Sequence, residues 1–163
     1  MRGLPVFRPE RGEWIGQWGD ITITVADPEL AQAHALEMRG SASDLLNRVL
    51  PGFHEQVFPR AIDAASEGCR KVLGWQGVPE LEDWELIALE VDARDRLWVA
   101  VQEYVADDYA LWIVGFDRHG RARHLRRAPD LAGSGQAPLH LRGDHVLDLG
   151  LGSAALTCAG RTV

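Results

Sequence analysis

Lysine and cysteine are both scarce in this chain of 163 residues. Lys71 is the only lysine, so sixteen of the seventeen basic residues are arginine, which is typical of a GC-rich bacterial genome. The two cysteines, Cys69 and Cys158, are too few for the disulfide framework on which small secreted proteins depend. We therefore expect two reduced thiols. Cys69 falls on the apolar stripe of a predicted helix, where we expect an inert core residue.

The sequence also has no apolar run of the length that a membrane span needs, and its first twelve residues lack the apolar core of a signal peptide. We therefore expect a cytoplasmic protein that does not bind membranes. The length favours one domain over residues 1–163. Its predicted parts are an extended arm over 1–12, an α+β core over 13–127, and a linker with C-terminal strands or a tail over 128–163.

The stretch from Trp84 to Arg127 predicts four β-strands, because branched and aromatic residues alternate with short polar turns. These strands are predicted over Glu85–Asp92, Leu97–Val105, Tyr109–Phe116 and Arg121–Arg127. The connections are too short for crossovers, which favours an antiparallel meander. The third strand is almost entirely apolar, so we expect it to be covered on both faces, whereas the arginine-rich fourth strand is typical of an exposed edge.

A hairpin and helices are predicted before the meander. Trp14-Ile15 and Ile21–Val25 flank a turn at Trp18-Gly19-Asp20. Helix signals follow over three segments: Asp27 to Arg39 with a stop at Gly40, Leu45–Leu50, and a third segment to Leu73 that begins at Pro59 or already at Phe53. The predicted fold class is therefore α+β, an antiparallel β-meander with an N-terminal hairpin and two or three helices packed on one face.

The net charge of −7 disfavours general nucleic-acid binding, but the charge is unevenly placed along the chain. Residues 80–117 contain eleven acidic and two basic residues, whereas 118–127 contain five arginines and no acid. An acidic surface can steer a basic partner, although a solvated surface with internal ion pairs explains the same pattern. The candidate partner-binding residues are Glu80, Glu82, Asp83, Glu85, Asp107 and Asp108. For the arginines at 121, 123, 126 and 127 we favour structural pairing with the acidic turns.

Catalytic signatures are weak. Four histidines form two pairs spaced five residues apart: His119 with His124, and His140 with His145. A spacing of five places the two members of a pair on opposite faces of a strand, which disfavours a zinc site. The glycine pairs do not continue into a phosphate-binding loop, and no serine has a nucleophile-elbow context. We therefore predict no catalytic residue, no metal and no cofactor.

Several of these features occur together in a known class of small domains. They are Trp18-Gly19, the alternating strand Ile21–Val25, the helices, Gly74-Trp75, and a meander containing Asp117-Arg118-His119-Gly120. In this pattern, residues 12–127 resemble small bacterial α+β domains of the toxin-immunity kind. The resemblance implies a non-enzymatic protein that binds and neutralises a toxin, and it implies no catalytic residues.

Three interpretations of function follow from the sequence. The first is a bacterial interaction protein, of the immunity kind, that binds a basic protein through its acidic surface. The second is a small metal-dependent hydrolase that uses the late histidines. The third is a dimerising structural module, a homodimer formed through the apolar strand Tyr109–Phe116 if helices cover only one face of the sheet.

Overall fold

The computed structural model describes residues 3–28, 30, 37–74, 81–103, 111–128, 147–149, 156–158 and 161–162. Its ten strands form one sheet in which spatial order equals sequence order. The seven longer strands are β1 Phe7–Glu10, β2 Glu13–Trp18, β3 Ile21–Ala26, β4 Trp84–Val91, β5 Leu97–Glu103, β6 Leu111–Phe116 and β7 Ala122–Ala128. The three short ones are β8 Leu147–Leu149, β9 Leu156–Cys158 and β10 Arg161–Thr162.

Helical segments lie between β3 and β4. They are α1 Gly40–Val49, a π-helix Phe53–Val57, α2 Phe58–Leu73 and a 3-10 turn Leu81–Asp83. Because the chain crosses through them, β3 and β4 pair in parallel, and the other strand pairs are antiparallel. The α+β class is therefore confirmed. The predicted meander describes β4 to β7, and the predicted hairpin is β2 with β3.

Two predictions about edges are wrong. Residues 7–10 of the supposed arm form β1, an edge strand that pairs with β2. Pro9 is tolerated there because an edge strand leaves one row of its amides without a ladder partner. The predicted edge strand β7 instead pairs on both sides, with β6 and with β8.

The helix predicted from Asp27 to Arg39 falls mostly outside the described residues. At its described ends, the backbone carbonyl of Asp27 accepts a hydrogen bond from the Leu30 amide, and Gly40 begins α1 rather than ending a helix. The other two helices are present. The helix predicted over Leu45–Leu50 is α1, which begins earlier than predicted, at Gly40. The last predicted helix is α2, which ends before Gly74 as its sequence indicates. None of the described helices is long and apolar enough to cross a membrane.

Helix α2 lies on one face of the sheet, against β5, β6 and β7. Gly68 makes this close approach possible, because a Cβ there would meet Leu125 Cδ2 at 2.5 Å and the Trp112 ring at 2.6 Å. Cys69 is fully buried in the same interface, as its place on the apolar stripe indicates. This helix-facing core is the larger of the two apolar clusters.

The opposite face of the sheet is also buried at its centre. Trp98, Ala100, Leu111 and Ile113 form a second apolar cluster there. Every side chain of β6 is buried, which confirms the prediction that this strand is covered on both faces. The described part of the strand proposed for dimerisation, Leu111–Phe116, is buried, whereas Tyr109 and Ala110 lie outside the described residues, so the dimerising interpretation stays a prediction.

Arg39 ties three parts of the fold together just before α1. Its Nη1 donates to Ala26 O, its Nη2 donates to Asp92 O at 2.6 Å, and its Nε donates to Asp95 Oδ1 at 2.9 Å. One guanidinium therefore links the end of β3, the β4–β5 turn and the start of the helical layer. Arginine suits this position because its planar guanidinium carries several N–H donors that point in different directions, whereas lysine has a single ammonium group.

Candidate functional site

A solvent-open cavity of about 640 Å³ lies where the helical layer meets the β2–β3 turn and the start of β4. Trp18, Phe58 and Trp84 provide its aromatic wall. The imidazole of His54 stacks on the Trp18 indole, with ring centroids 5.5 Å apart and an angle of 18° between the planes. Phe58 meets the same imidazole edge to face at 6.0 Å. Trp18, His54 and Phe58 therefore form one connected set of rings in this wall.

The π-helix Phe53–Val57 places His54 in this wall. The amide of Phe58 bonds to Phe53 O, five residues back, and Pro59, which has no amide hydrogen, stands at the start of α2. Phe53 is fully buried, and its ring meets Trp18 edge to face at 5.5 Å. A π-helical turn is rare in proteins and is frequently found at functional sites.

Three exposed carboxylates, those of Asp20, Glu55 and Glu85, also line the cavity. Within the described residues none of them forms an ion pair, and His54 is the only lining side chain that could carry a positive charge. Carboxylates and aromatic faces both attract cations. We call this site the acidic cavity, defined by Trp18, Asp20, His54, Glu55, Phe58, Trp84 and Glu85.

The predicted partner-binding residues lie partly at this cavity. Glu85 lines it, while the exposed Glu82 and the half-buried Asp83 precede Trp84 in the 3-10 turn and do not line it. The other three, Glu80, Asp107 and Asp108, lie outside the described residues.

The acidic segment over 80–117 exposes fewer of its carboxylates than its composition predicts, because several of them are buried. Glu90, Asp92 and Glu103 are each only 1 % exposed, so their charges are not available to a partner. Among the described acids of this segment, the exposed ones are Glu82 and Glu85, both near its start.

Acidic residues at the far end of β4 have a different environment. Asp92 Oδ1 accepts hydrogen bonds from the amides of Arg94 and Arg96 at 2.9 and 3.0 Å. Its Oδ2 accepts from Arg96 Nε at 2.8 Å and from Trp98 Nε1 at 3.0 Å. Burial by itself would raise the pKa of Asp92, but the hydrogen bonds from Trp98, Arg96 and Arg94 outweigh it and lower that pKa.

The β6–β7 turn repeats this arrangement. Asp117 Oδ1 accepts from the amides of His119 and Arg121 at 2.8 and 3.0 Å, and its Oδ2 accepts from Arg123 Nε at 2.8 Å. Burial opposes the charged form, but the bonds from Arg123, Arg121 and His119 prevail and lower the pKa of Asp117 to about 2. The predicted structural pairing is thus confirmed for Arg123. In the same strand, Arg127 lies 5.8 Å over the Trp112 ring.

The late histidines do not gather into a described cluster. His119 is exposed in the β6–β7 turn, whereas His124 stacks on Trp98 at 5.8 Å on the sheet face opposite α2. His140 and His145 lie outside the described residues. In the part of the chain that the structure describes, no group of three His, Cys, Asp or Glu side chains could hold a metal ion.

No protein family, curated protein or solved structure matches this chain. Its function has to be inferred from the residues themselves, and the acidic cavity is the site with the most distinctive chemistry among those described.

The aromatic wall is the part of the site that the sequence did not reveal. The sequence predicts Trp18 as part of a turn, whereas in the structure it ends β2, contacts the core and lines the cavity. His54 carried no motif. The usable signal was the aromatic grouping Phe53-His54 with Phe58 immediately before Pro59, since a proline there separates a distorted turn from a regular helix.

Proposed function

We propose that the chain is a non-enzymatic bacterial interaction protein of the cytoplasm that binds a protein with a basic surface. In this proposal the partner is a toxin, and binding neutralises it. The observation that carries the proposal is the acidic cavity, where three exposed carboxylates surround a wall of stacked rings.

An arginine side chain of the partner fits this chemistry best. Its planar guanidinium can stack on the Trp18 and His54 rings while its fork donates to the carboxylates of Glu55 or Glu85. A desolvated cation–π contact contributes about 2 kcal/mol, and arginine inserted in a pocket is a frequent centre of binding energy. The cavity of about 640 Å³ is large enough to receive it.

The acids beside the cavity extend the negative surface. Glu82 is exposed three residues before the cavity residue Glu85, and we include Asp83 and the sequence candidates Glu80, Asp107 and Asp108 in the same proposed docking surface. Charges at the edge of an interface mainly raise the association rate and reject partners of the same sign. We therefore assign them to steering and the cavity to affinity.

The test is binding of a purified partner, first identified by affinity capture from the source organism. The cavity variant combines Asp20→Asn, Glu55→Gln and Glu85→Gln. Its control combines Glu37→Gln, Asp44→Asn and Asp63→Asn, three exposed acids that do not line the cavity and give the same change in net charge.

We expect a basic protein that binds the wild type and the control in a defined stoichiometry, loses its own activity on binding, and binds the cavity variant at least tenfold more weakly. An acidic partner, or one that the cavity variant retains at full affinity, would contradict the proposal.

A further inference from the structure

A second cavity, of about 340 Å³, lies at the opposite end of the strands. Leu97 and Phe116, which line it, are paired across β5 and β6, whereas the acidic cavity begins at Trp84, near the other end of β4. Leu45 and Val49 of α1 also line it. Its floor is therefore apolar and is built from both layers of the fold.

Arginine side chains surround this floor. Arg48, Arg60 and Arg118 all line the cavity and are exposed. Within the described residues none of the three forms an ion pair with a carboxylate. Arg60 Nη1 donates to Gly120 O at 3.1 Å and Arg118 Nε donates to His119 Nε2 at 3.3 Å, so both guanidiniums keep donors available.

Asp117 is the one carboxylate among the described lining residues, and it does not neutralise these arginines. Both of its oxygens are engaged, one by the amides of His119 and Arg121 and the other by Arg123 Nε. The cavity therefore keeps an excess of positive charge beside an apolar floor, in a protein whose overall charge is negative.

We propose that this second cavity binds a small organic anion with an apolar body and a carboxylate or phosphate head. The head would pair with the guanidiniums of Arg48 and Arg118, whose forks match both kinds of anion, and the body would contact Val49 and Val57, the half-buried apolar residues of the lining. The volume is that of a small-molecule site. The proposal is independent of the acidic cavity, since the two sites share no residue.

The experiment is a ¹H–¹⁵N NMR titration of the full chain with hexyl phosphate, hexanoate, inorganic phosphate and hexylammonium. Hexyl phosphate or hexanoate is expected to shift resonances of the β6–β7 turn and of α1 in the millimolar range or below. Because both have an alkyl body, whichever of the two binds more tightly identifies the head group. Inorganic phosphate should bind more weakly because it lacks the body, and hexylammonium should not bind there.

Two single variants, Arg48→Gln and Arg118→Gln, should each raise the Kd about tenfold, the usual effect of losing one charge-assisted hydrogen bond. Arg94→Gln is the matched control, because Arg94 is exposed in the equivalent β4–β5 turn and does not line the cavity. The proposal is overturned if neither organic anion binds, if inorganic phosphate or hexylammonium binds equally well, or if the arginine variants bind like the wild type.

Discussion

Acidic residues at the two ends of the sheet differ in exposure and in hydrogen bonding. At the acidic cavity, Asp20, Glu55 and Glu85 are exposed and form no described ion pair. At the other end, which we call the arginine end (the turns after Asp92 and Asp117), both carboxylates are bonded to backbone amides and to arginine. The charges of these two acids are thus paired there, whereas Arg94, Arg118 and Arg121 in the same turns are exposed. Net charge alone therefore does not predict the sign of a local surface.

The largest expected effect separates the two turn aspartates. Asp92→Ala leaves the buried Trp98 Nε1 and two amides without an acceptor, and we expect a loss of about 3 kcal/mol of unfolding free energy. Asp117→Ala removes similar bonds in a more exposed turn and should cost about 1 kcal/mol. Urea unfolding of both variants measures the difference, and equal losses would show that burial of Asp92 is not what distinguishes the turns.

A second comparison separates a structural from a surface arginine at α1, beside the arginine end. Arg39→Gln removes the charged donors to Ala26 O and Asp92 O, and should lower the unfolding free energy by about 2 kcal/mol. Arg48→Gln changes an exposed side chain and should shift it by no more than about 0.5 kcal/mol. Thermal and urea unfolding provide the measurement. A harmless Arg39→Gln would mean that this residue does not tie the layers together.

Acid should weaken the arginine end. The pKa of Asp117 is about 2 in the folded chain against an ordinary 3.8, and that of Asp92 is also lowered. A lowered pKa stabilises the folded state above the unfolded pKa, and this contribution is lost as the pH falls from the ordinary value through the folded one. After discounting for solvent screening, we expect a loss of roughly 1.5 kcal/mol over that interval.

The pH dependence is checked by urea unfolding between about pH 6 and about pH 2. Asp117→Asn should flatten the loss in part. A slope that is insensitive to Asp117→Asn would show that the turn carboxylate is not the group responsible.

The smallest effect concerns the third position after each turn aspartate. Both turns place a residue with positive φ there, Asp95 at 58° and Gly120 at 74°. Gly120→Ala should therefore destabilise the fold by about 1 kcal/mol, since a Cβ disfavours that conformation. Gly120→Asp, which copies the other turn, should cost less because Asp tolerates positive φ better than Ala does. Calorimetric melting of both variants distinguishes them.

Elements specified by local sequence were predictable. The α2 helix follows from its apolar spacing and from Gly74, and the β6–β7 turn follows from Asp117 and Gly120, whose backbone geometry is local. Strand β1 was missed because Pro9 is unfavourable in most strands and is tolerated only at an edge. The parallel pairing of β3 with β4 was missed because it depends on where the intervening helices return the chain.

The candidate site was predictable only in its charges. The acidic composition identifies Glu85 as a candidate. It does not show that Glu90 and Glu103 are buried and therefore closed to a partner. His54 and Trp18 are far apart in the sequence, and their rings stack only because the π-helix packs beside the β2–β3 turn. Tertiary packing determines contacts of this kind, so no local sequence pattern predicts them.

Binding of a guanidinium group at the acidic cavity is the most direct test of the difference between the two ends. The measurement is an NMR titration with an acetylated, amidated arginine peptide, followed at the side chains of Trp18 and His54. Its control is the same peptide with neutral citrulline in place of arginine. We predict saturable shifts at both rings with the arginine peptide, which weaken at least tenfold in the Asp20→Asn, Glu55→Gln, Glu85→Gln variant. Equal binding of the citrulline peptide, or arginine binding that the variant retains, would contradict the assignment of this cavity to a basic partner.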